Sequence, residues 1–360
     1  MGILDAVVIG AGQAGLSASY HLKRLGLAHV LLDANQSPGG AWQHRWNSLT
    51  MNDVHGVAAL PGSEPPDAGP ARAHEAVARY FADYEQRNEL PVVRPVRVDS
   101  VTSDGPELVV HAGDRRWTGH ALVNATGTWT RPFLPHYPGM ETFLGEQLHT
   151  VDYPGVQRFV GKRVLVVGGG ASAVQFLGEL APVTDTLWVT RRPPVWRTAD
   201  FDREAGHAAV ALVEERVRDG LPPASVVSVT GLALREQERL AESLGAYRRR
   251  PMFSRIEPDG VRWADGTFEH VDVILWATGF RPAVSHLAPL RLRSPRGGIQ
   301  LEGTTAVADP RVQLVGYGPS ASTIGANRAG RAAAVAVRNQ LLRAGRNTAS
   351  RPAERAETLR

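Results

Sequence analysis

No cysteine occurs among the 360 residues, and that absence removes structural disulfides, thiolate metal sites and a redox-active cysteine pair together. Long apolar runs are missing as well; none approaches the roughly 18 residues that a membrane-spanning helix needs. No basic, apolar leader opens the chain, which enters a strand pattern at Ile3, so the expected setting is cytoplasmic and away from the membrane. The hydroxyl residue that N-myristoylation after Met1-Gly2 requires is replaced by Ala6. Net charge is only +4. Much of that excess falls in Arg248, Arg249, Arg250 and the C-terminal arginines, without aromatic interleaving, so a solvated basic surface is expected and no nucleic-acid partner. No metal site is expected. What remains is ordinary globular composition, 43% hydrophobic and 21% charged, enough for roughly two domains.

Two strand-turn-helix units stand out. Leu4 to Ile9 is a short apolar run of buried-strand type, followed by Gly10-Ala11-Gly12-Gln13-Ala14-Gly15 and a helical pattern through Leu25. Gly10 suits the tight turn, Gly12 lets backbone approach a pyrophosphate, and Gly15 lets helix and strand pack closely, with the helix N-terminus toward the phosphates. A second strand, His29 to Leu32, ends in Asp33. The design returns at Arg163 to Val167, then Gly168-Gly169-Gly170-Ala171-Ser172-Ala173, a helix to about Leu180 and a strand Thr186 to Thr190. Its residue at the offset of Asp33 is Arg191, followed by Arg192. A ribose hydroxyl wants an acceptor and the 2′-phosphate of NADP wants a guanidinium, so the swap assigns FAD to the first unit and NADPH to the second. Plain glycine turns and solvated surface arginines are the alternative reading.

The fold class expected is α/β, with two Rossmann-like three-layer dinucleotide-binding domains and a small antiparallel β-meander. Ser37-Pro38-Gly39-Gly40-Ala41-Trp42 is a loop in which Gly40 and Trp42 suit close approach to a flat ring system, a buried Trp being the bland alternative. A helix over Arg72 to Glu89 and strands over Val92 to Val98, Glu107 to His111 and Ala121 to Val123 lead to Asn124-Ala125-Thr126-Gly127. A similar phrase, Trp276-Ala277-Thr278-Gly279-Phe280, closes the apolar run Val271 to Leu275. Each marks a strand exit beside a dinucleotide, with Thr126, Gly127, Thr278 and Gly279 as contacts. Residues 1–155 and 276–360 are therefore expected to form the FAD domain, with the NADPH domain, 156–275, inserted between them. Its helical excursion over about 201–247 covers the substrate, makes a dimer contact or simply packs. A helix from about Ile324 to Leu342 follows Gly316-Tyr317-Gly318-Pro319-Ser320 and faces the flavin or merely caps the fold.

The segment Phe143-Leu144-Gly145-Glu146-Gln147-Leu148-His149-Thr150-Val151-Asp152-Tyr153 fits F-x-G-x-x-x-H-x-x-x-Y and lies just before the second unit. It resembles the fingerprint of the flavin-containing monooxygenases, whose Baeyer-Villiger relatives carry Trp at the last position. With Gly39-Gly40-Ala41-Trp42 and the two Ala-Thr-Gly phrases, the resemblance runs in order over nearly the whole chain. It implies FAD reduced by NADPH, a C4a-hydroperoxyflavin formed with O2, and transfer of one oxygen atom to a small organic substrate, an amine, sulfide, keto acid or ketone. By the same resemblance His149 helps hold NADP(H), and Asn52 in Ser48-Leu49-Thr50-Met51-Asn52 hydrogen-bonds the oxygen adduct. The plainer readings are a structural His and a turn-capping Asn. The chain is shorter than most such enzymes, and Ala173 stands where the first unit has Gly15. An NADPH-flavin oxidoreductase serving a quinone or protein acceptor, a flavin-binding module without turnover, and a homodimer stay open. A disulfide reductase lacks its cysteines.

Overall fold

The computed structural model describes residues 2–54, 57–196, 203–223, 232, 234 and 236–345. The chain opens with β1 (Leu4–Ile9), α1 (Gln13–Arg24) and β2 (His29–Leu32). Ala6, Val7, Val8 and Ile9 are all buried, because both faces of this central strand are covered, as in a parallel sheet packed on both sides. Next come α2 (Ala73–Arg87), β3 (Val92–Val93), β4 (Ser100–Asp104), β5 (Glu107–Ala112) and β6 (Arg115–Asn124). The long strand β6 joins two arrangements. Its first half pairs antiparallel with β5, from Ala112 opposite Arg115 to Leu108 opposite Gly119. Its second half runs parallel to β1, placing Ile9 beside Asn124.

A second parallel sheet is built from β7 (Glu146–His149), β8 (Arg163–Val167), β9 (Asp185–Val189), β10 (Arg249–Arg250) and, after a small antiparallel sheet of β11 (Arg255–Glu257), β12 (Gly260–Arg262) and β13 (Phe268–His270), β14 (Val273–Trp276). The helix α3 (Ala171–Leu180) joins β8 to β9, and the order across the sheet is β10-β9-β8-β14-β7. The chain then returns to the first sheet with β15 (Leu301–Glu302), β16 (Thr305–Ala306) and β17 (Val312–Leu314). That sheet reads β15-β16-β17-β6-β1-β2-β3. The C-terminal helix Thr323–Arg343 lies against α1 so closely that a methyl group on Gly330 would fall 2.5 Å from Ser17 Oγ.

The sheets divide the chain less cleanly than the boundary expected at residue 155. β7 lies before that boundary yet pairs with β14, His149 beside Trp276, because the edge of the second sheet is completed by chain that has just left the first. The excursion is also shared. α4 (Arg203–Arg218) turns Val217 into the core under the first sheet with Leu287, Leu292 and Tyr317, and Gly220 accepts from Gly298 N at 2.9 Å. The helix Glu236–Ser243 instead puts Ala241 into the core beside α3.

Candidate active site at two dinucleotide cradles

At the first cradle Gly10 takes φ +100°, and a Cβ there would lie 2.6 Å from Ala125 O. One at Gly15 would lie 1.8 Å from Gly10 O, so only glycine lets α1 approach the strand this closely. Gly12 forms the N-cap of α1 with no side-chain cap, and nothing stands within 4 Å of the position its side chain would take. The helix therefore presents unfilled N–H groups to open space, the setting a pyrophosphate requires. Ala14 is buried, Gly316 and Gly127 close the floor beside it, and Gln13 Nε2 is spent on Ala58 O at 2.6 Å. Gly40 folds over this turn; a Cβ there would sit 2.7 Å from Gly12 Cα. Trp42 follows, partly buried against the first core.

Asp33 sits at the tip of β2 and is only 4% exposed. Its Oδ2 accepts from Arg94 Nε at 3.0 Å and its Oδ1 from Asn35 Nδ2 at 3.1 Å. Arg94 in turn grips Glu85 with both terminal nitrogens, at 2.7 and 2.6 Å. Burial alone would lower the Arg94 pKa, but Glu85 and Asp33 outweigh it and raise the guanidinium above its ordinary value. Arg94 and Glu85 are not legible as site residues in the sequence, since nothing local ties them to Asp33.

The second cradle repeats the plan. Gly168 takes φ +145°, a Cβ there would lie 2.2 Å from Ala277 O, and Gly170 is the uncapped N-cap of α3 with open space before it. Ala171 and Ser172 form the half-buried first turn. Ala173 is fully buried where the first cradle has Gly15, so this helix leaves room for one methyl group. Arg191 and Arg192 are exposed, and among the described residues neither forms a salt bridge. The turn beneath them is fixed by Thr190 Oγ1, which donates to Arg192 O at 2.6 Å and accepts from Arg249 Nε at 2.7 Å.

The Ala-Thr-Gly phrases do more than leave their sheets. Ala125 N donates to Ile9 O and Ala277 N to Val167 O, both at 2.8 Å, so each phrase is seated on its own cradle strand. Beyond them the two linkers cross and hold one another. Thr126 Oγ1 donates to Ala283 O at 2.7 Å and Ala283 N to Gly127 O at 2.9 Å. Reciprocally, Thr278 Oγ1 donates to Phe133 O and Phe133 N to Gly279 O. At the first crossing His286 Nε2 donates to Asn124 Oδ1 at 2.7 Å, and burial pushes its pKa down to about 4. At the second, buried His149 donates Nε2–H to Gly279 O at 3.1 Å while Nδ1 accepts from Val151 N at 3.3 Å. Burial also lowers its pKa. Both ring nitrogens of His149 are thus engaged within the chain, and it acts here as a clasp. The other fingerprint residues have structural duties too: a Cβ on Gly145 would meet Asp272 O at 2.4 Å, and Tyr153 stacks on Phe159 at 5.4 Å.

Asn52 lies exposed on the turn after Thr50, its N–H donating to Gly69 O at 3.0 Å. The structure does not join it to the His149 network. Its neighbour Asp53 borders a cavity of about 260 Å³ between this loop and α3, with Trp46, Ser48, Gln175 and Glu179; burial raises the Glu179 pKa. Arg45, singled out by nothing in the sequence, lies over the rings of Trp42 and Trp129 at 5.5 and 4.7 Å.

Two nucleotide cradles joined through two linker crossings define a two-dinucleotide oxidoreductase, and the residues present fit FAD and NADP(H). The comparisons place it further. Residues 7–220 match the family model described as pyridine nucleotide-disulphide oxidoreductase. A flavin-containing monooxygenase from Stenotrophomonas maltophilia is 40% identical, with a TM-score of 0.82 over 94% of this chain and 99% of that one. A CzcO-like oxidoreductase from Geobacillus kaustophilus is 25% identical over 85% of this chain and 89% of its own. A Baeyer-Villiger monooxygenase from Streptomyces coelicolor is 29% identical over 57% of this chain and 41% of its own. The chain belongs to the flavin-containing monooxygenases of the pyridine nucleotide-disulphide oxidoreductase family. It is a flavin-dependent oxidoreductase of the pyridine-nucleotide-linked kind. Among the described residues no helix is long and apolar enough to cross a membrane.

Proposed function

We propose that the cradle ending in Asp33 carries FAD, that the one ending in Arg191 and Arg192 takes NADPH, and that one oxygen atom of O2 passes to a small cytoplasmic substrate carrying a soft nucleophile or a carbonyl. The observation that carries the assignment is the unlike chemistry of the two tips: a buried carboxylate suits a ribose hydroxyl and two exposed guanidinium groups suit a 2′-phosphate. Flavin bound in the first cradle would supply the redox chemistry, carrying two electrons from NADPH to O2, whose second oxygen atom leaves as water. The chain binds and orients. Its helix N-termini hold the diphosphates, the crossed linkers fix the distance between cradles, and His149 positions Gly279 at the end of its strand. In this reading Asn52 supplies a carboxamide hydrogen bond without an acidic proton, so Asn52→Ala leaves FAD binding intact and diverts NADPH consumption to H2O2.

The test is turnover of the purified holoenzyme under ¹⁸O2 with an amine, a thioether and a ketone. One labelled oxygen atom in a product, formed with NADPH preferred over NADH, is the expected result. Rapid anaerobic NADPH oxidation with a quinone and no labelled product would instead establish the plain reductase, and FAD that NADPH does not bleach would leave a binding module. Sedimentation of the same sample decides between monomer and homodimer.

A further inference from the structure

Several other half-buried arginines of this fold meet carboxylates: Arg94 meets Glu85 and Asp33, Arg163 and Arg250 meet Glu269, and Arg311 meets Asp309; Arg249 is held by Thr190 and Arg338 by Asn339. Among the described residues Arg45 has neither kind of partner. It caps the short helix Gly40–His44 that folds over the first glycine turn, and its guanidinium is held between the indoles of Trp42 and Trp129. Nε is buried with no hydrogen-bond partner among the described residues. Trp129 stacks at 5.2 Å on Phe280, which meets the edge of His149 at 5.0 Å, so Arg45 stands where the first cradle and both linkers converge. Indole faces stabilise a cation but leave its donor edge unused. A desolvated guanidinium without an anion is costly; burial pushes the pKa of this one down to about 10. The cost is offset if an anion arrives with a ligand.

We propose that Arg45 recognises an anionic group brought into the linker junction, either a phosphate of a bound dinucleotide or the carboxylate of the substrate. The planar fork matches both geometries. Only the second source rests on the monooxygenase reading, and it narrows the substrate class there to organic acids.

The experiment compares Arg45→Met, which keeps apolar bulk between the indoles, with wild-type holoenzyme by calorimetric binding, without turnover. The ligands are NADP+, phenylacetate and its neutral isostere phenylacetamide, and FAD release is timed in parallel. Loss of one charge-assisted contact weakens the recognised anion roughly 10- to 150-fold and leaves phenylacetamide unchanged. Weakened NADP+ or faster FAD loss identifies a phosphate; weakened phenylacetate alone identifies a carboxylate. If Arg45→Met does not fold, Arg45→Lys keeps the charge without the fork and loses a smaller factor for the same anion. Folded variants that bind all four ligands like wild type overturn the proposal. Because no arm requires oxygenation, absence of labelled product in the turnover test leaves this result readable.

Discussion

At the first cradle the tip carboxylate of Asp33 is buried and held by Arg94, which is itself held by Glu85; at the second the tip cations Arg191 and Arg192 are exposed, with no such support among the described residues. The glycine turns share one plan, so the difference lies in preorganisation. A rigid, desolvated acceptor suits a dinucleotide that stays bound, and an exposed charge suits one that arrives and leaves on each turnover, because an exposed guanidinium attracts phosphate without a prior desolvation cost. The helices differ in the same sense, Gly15 being required where Ala173 is accommodated.

That contrast breaks first at the glycine. Gly15→Ala places a methyl group on a backbone carbonyl at 1.8 Å, which side-chain repacking cannot relieve. The expected result is apoprotein that does not retain FAD, with destabilisation beyond the about 1–3 kcal/mol of ordinary overpacking. The reciprocal Ala173→Gly only removes a methyl group and costs about 1 kcal/mol. Equal thermal shifts for the two would mean that the cradles are equivalent. Next in size is Arg94→Met, which strands Asp33 and Glu85 as buried carboxylates and costs about 3–5 kcal/mol. Denaturant unfolding should show that loss, with FAD released earlier, whereas Arg192→Met leaves the unfolding midpoint in place.

Much of this contrast is legible in the sequence. The strand-glycine-helix order, the opposed tips and the repeated Ala-Thr-Gly phrases are local patterns, and local patterns survive without knowledge of partners. What escapes is pairing at a distance. Arg94 lies 61 residues after Asp33, so nothing in the Asp33 neighbourhood announces that its carboxylate is already engaged. β7 reads as a continuation of the first domain, and only its parallel partner β14 assigns it to the second sheet. The antiparallel strands from Arg255 to His270 are each too short for period-two alternation to register, although Pro258-Asp259-Gly260 and Asp265-Gly266 give turn signals between them. Arg45 is invisible for a related reason: its neighbour Trp129 lies far along the chain, after the first Ala-Thr-Gly phrase.

The two linker crossings extend the comparison to pH. His286 titrates near 6.5 unfolded and about 4 folded, so protons favour the unfolded chain. Its contribution is full above pH 6.5 and is lost as pH falls toward 4, up to about 3 kcal/mol. Burial lowers the pKa of His149 as well, so the second crossing weakens in the same direction. His286→Gln should flatten the stability profile between pH 6.5 and 4. A profile unchanged from wild type would mean that the Asn124–His286 contact does not bias folding.

The smallest effect in stability is the one that most sharpens the difference between the cradles. Arg191→Ala removes an exposed cation that forms no salt bridge among the described residues, so unfolding should shift by less than about 0.5 kcal/mol. Its effect belongs to the ligand. Loss of one charge-assisted contact to a 2′-phosphate raises the NADPH requirement about 10- to 150-fold, while NADH, which lacks that phosphate, is used as before. Steady-state KM values for the two nucleotides, with kcat nearly constant, are the readout. If both rise together, Arg191 is holding the turn and not reading the phosphate, and the distinction between a carboxylate tip and a guanidinium tip no longer assigns the dinucleotides.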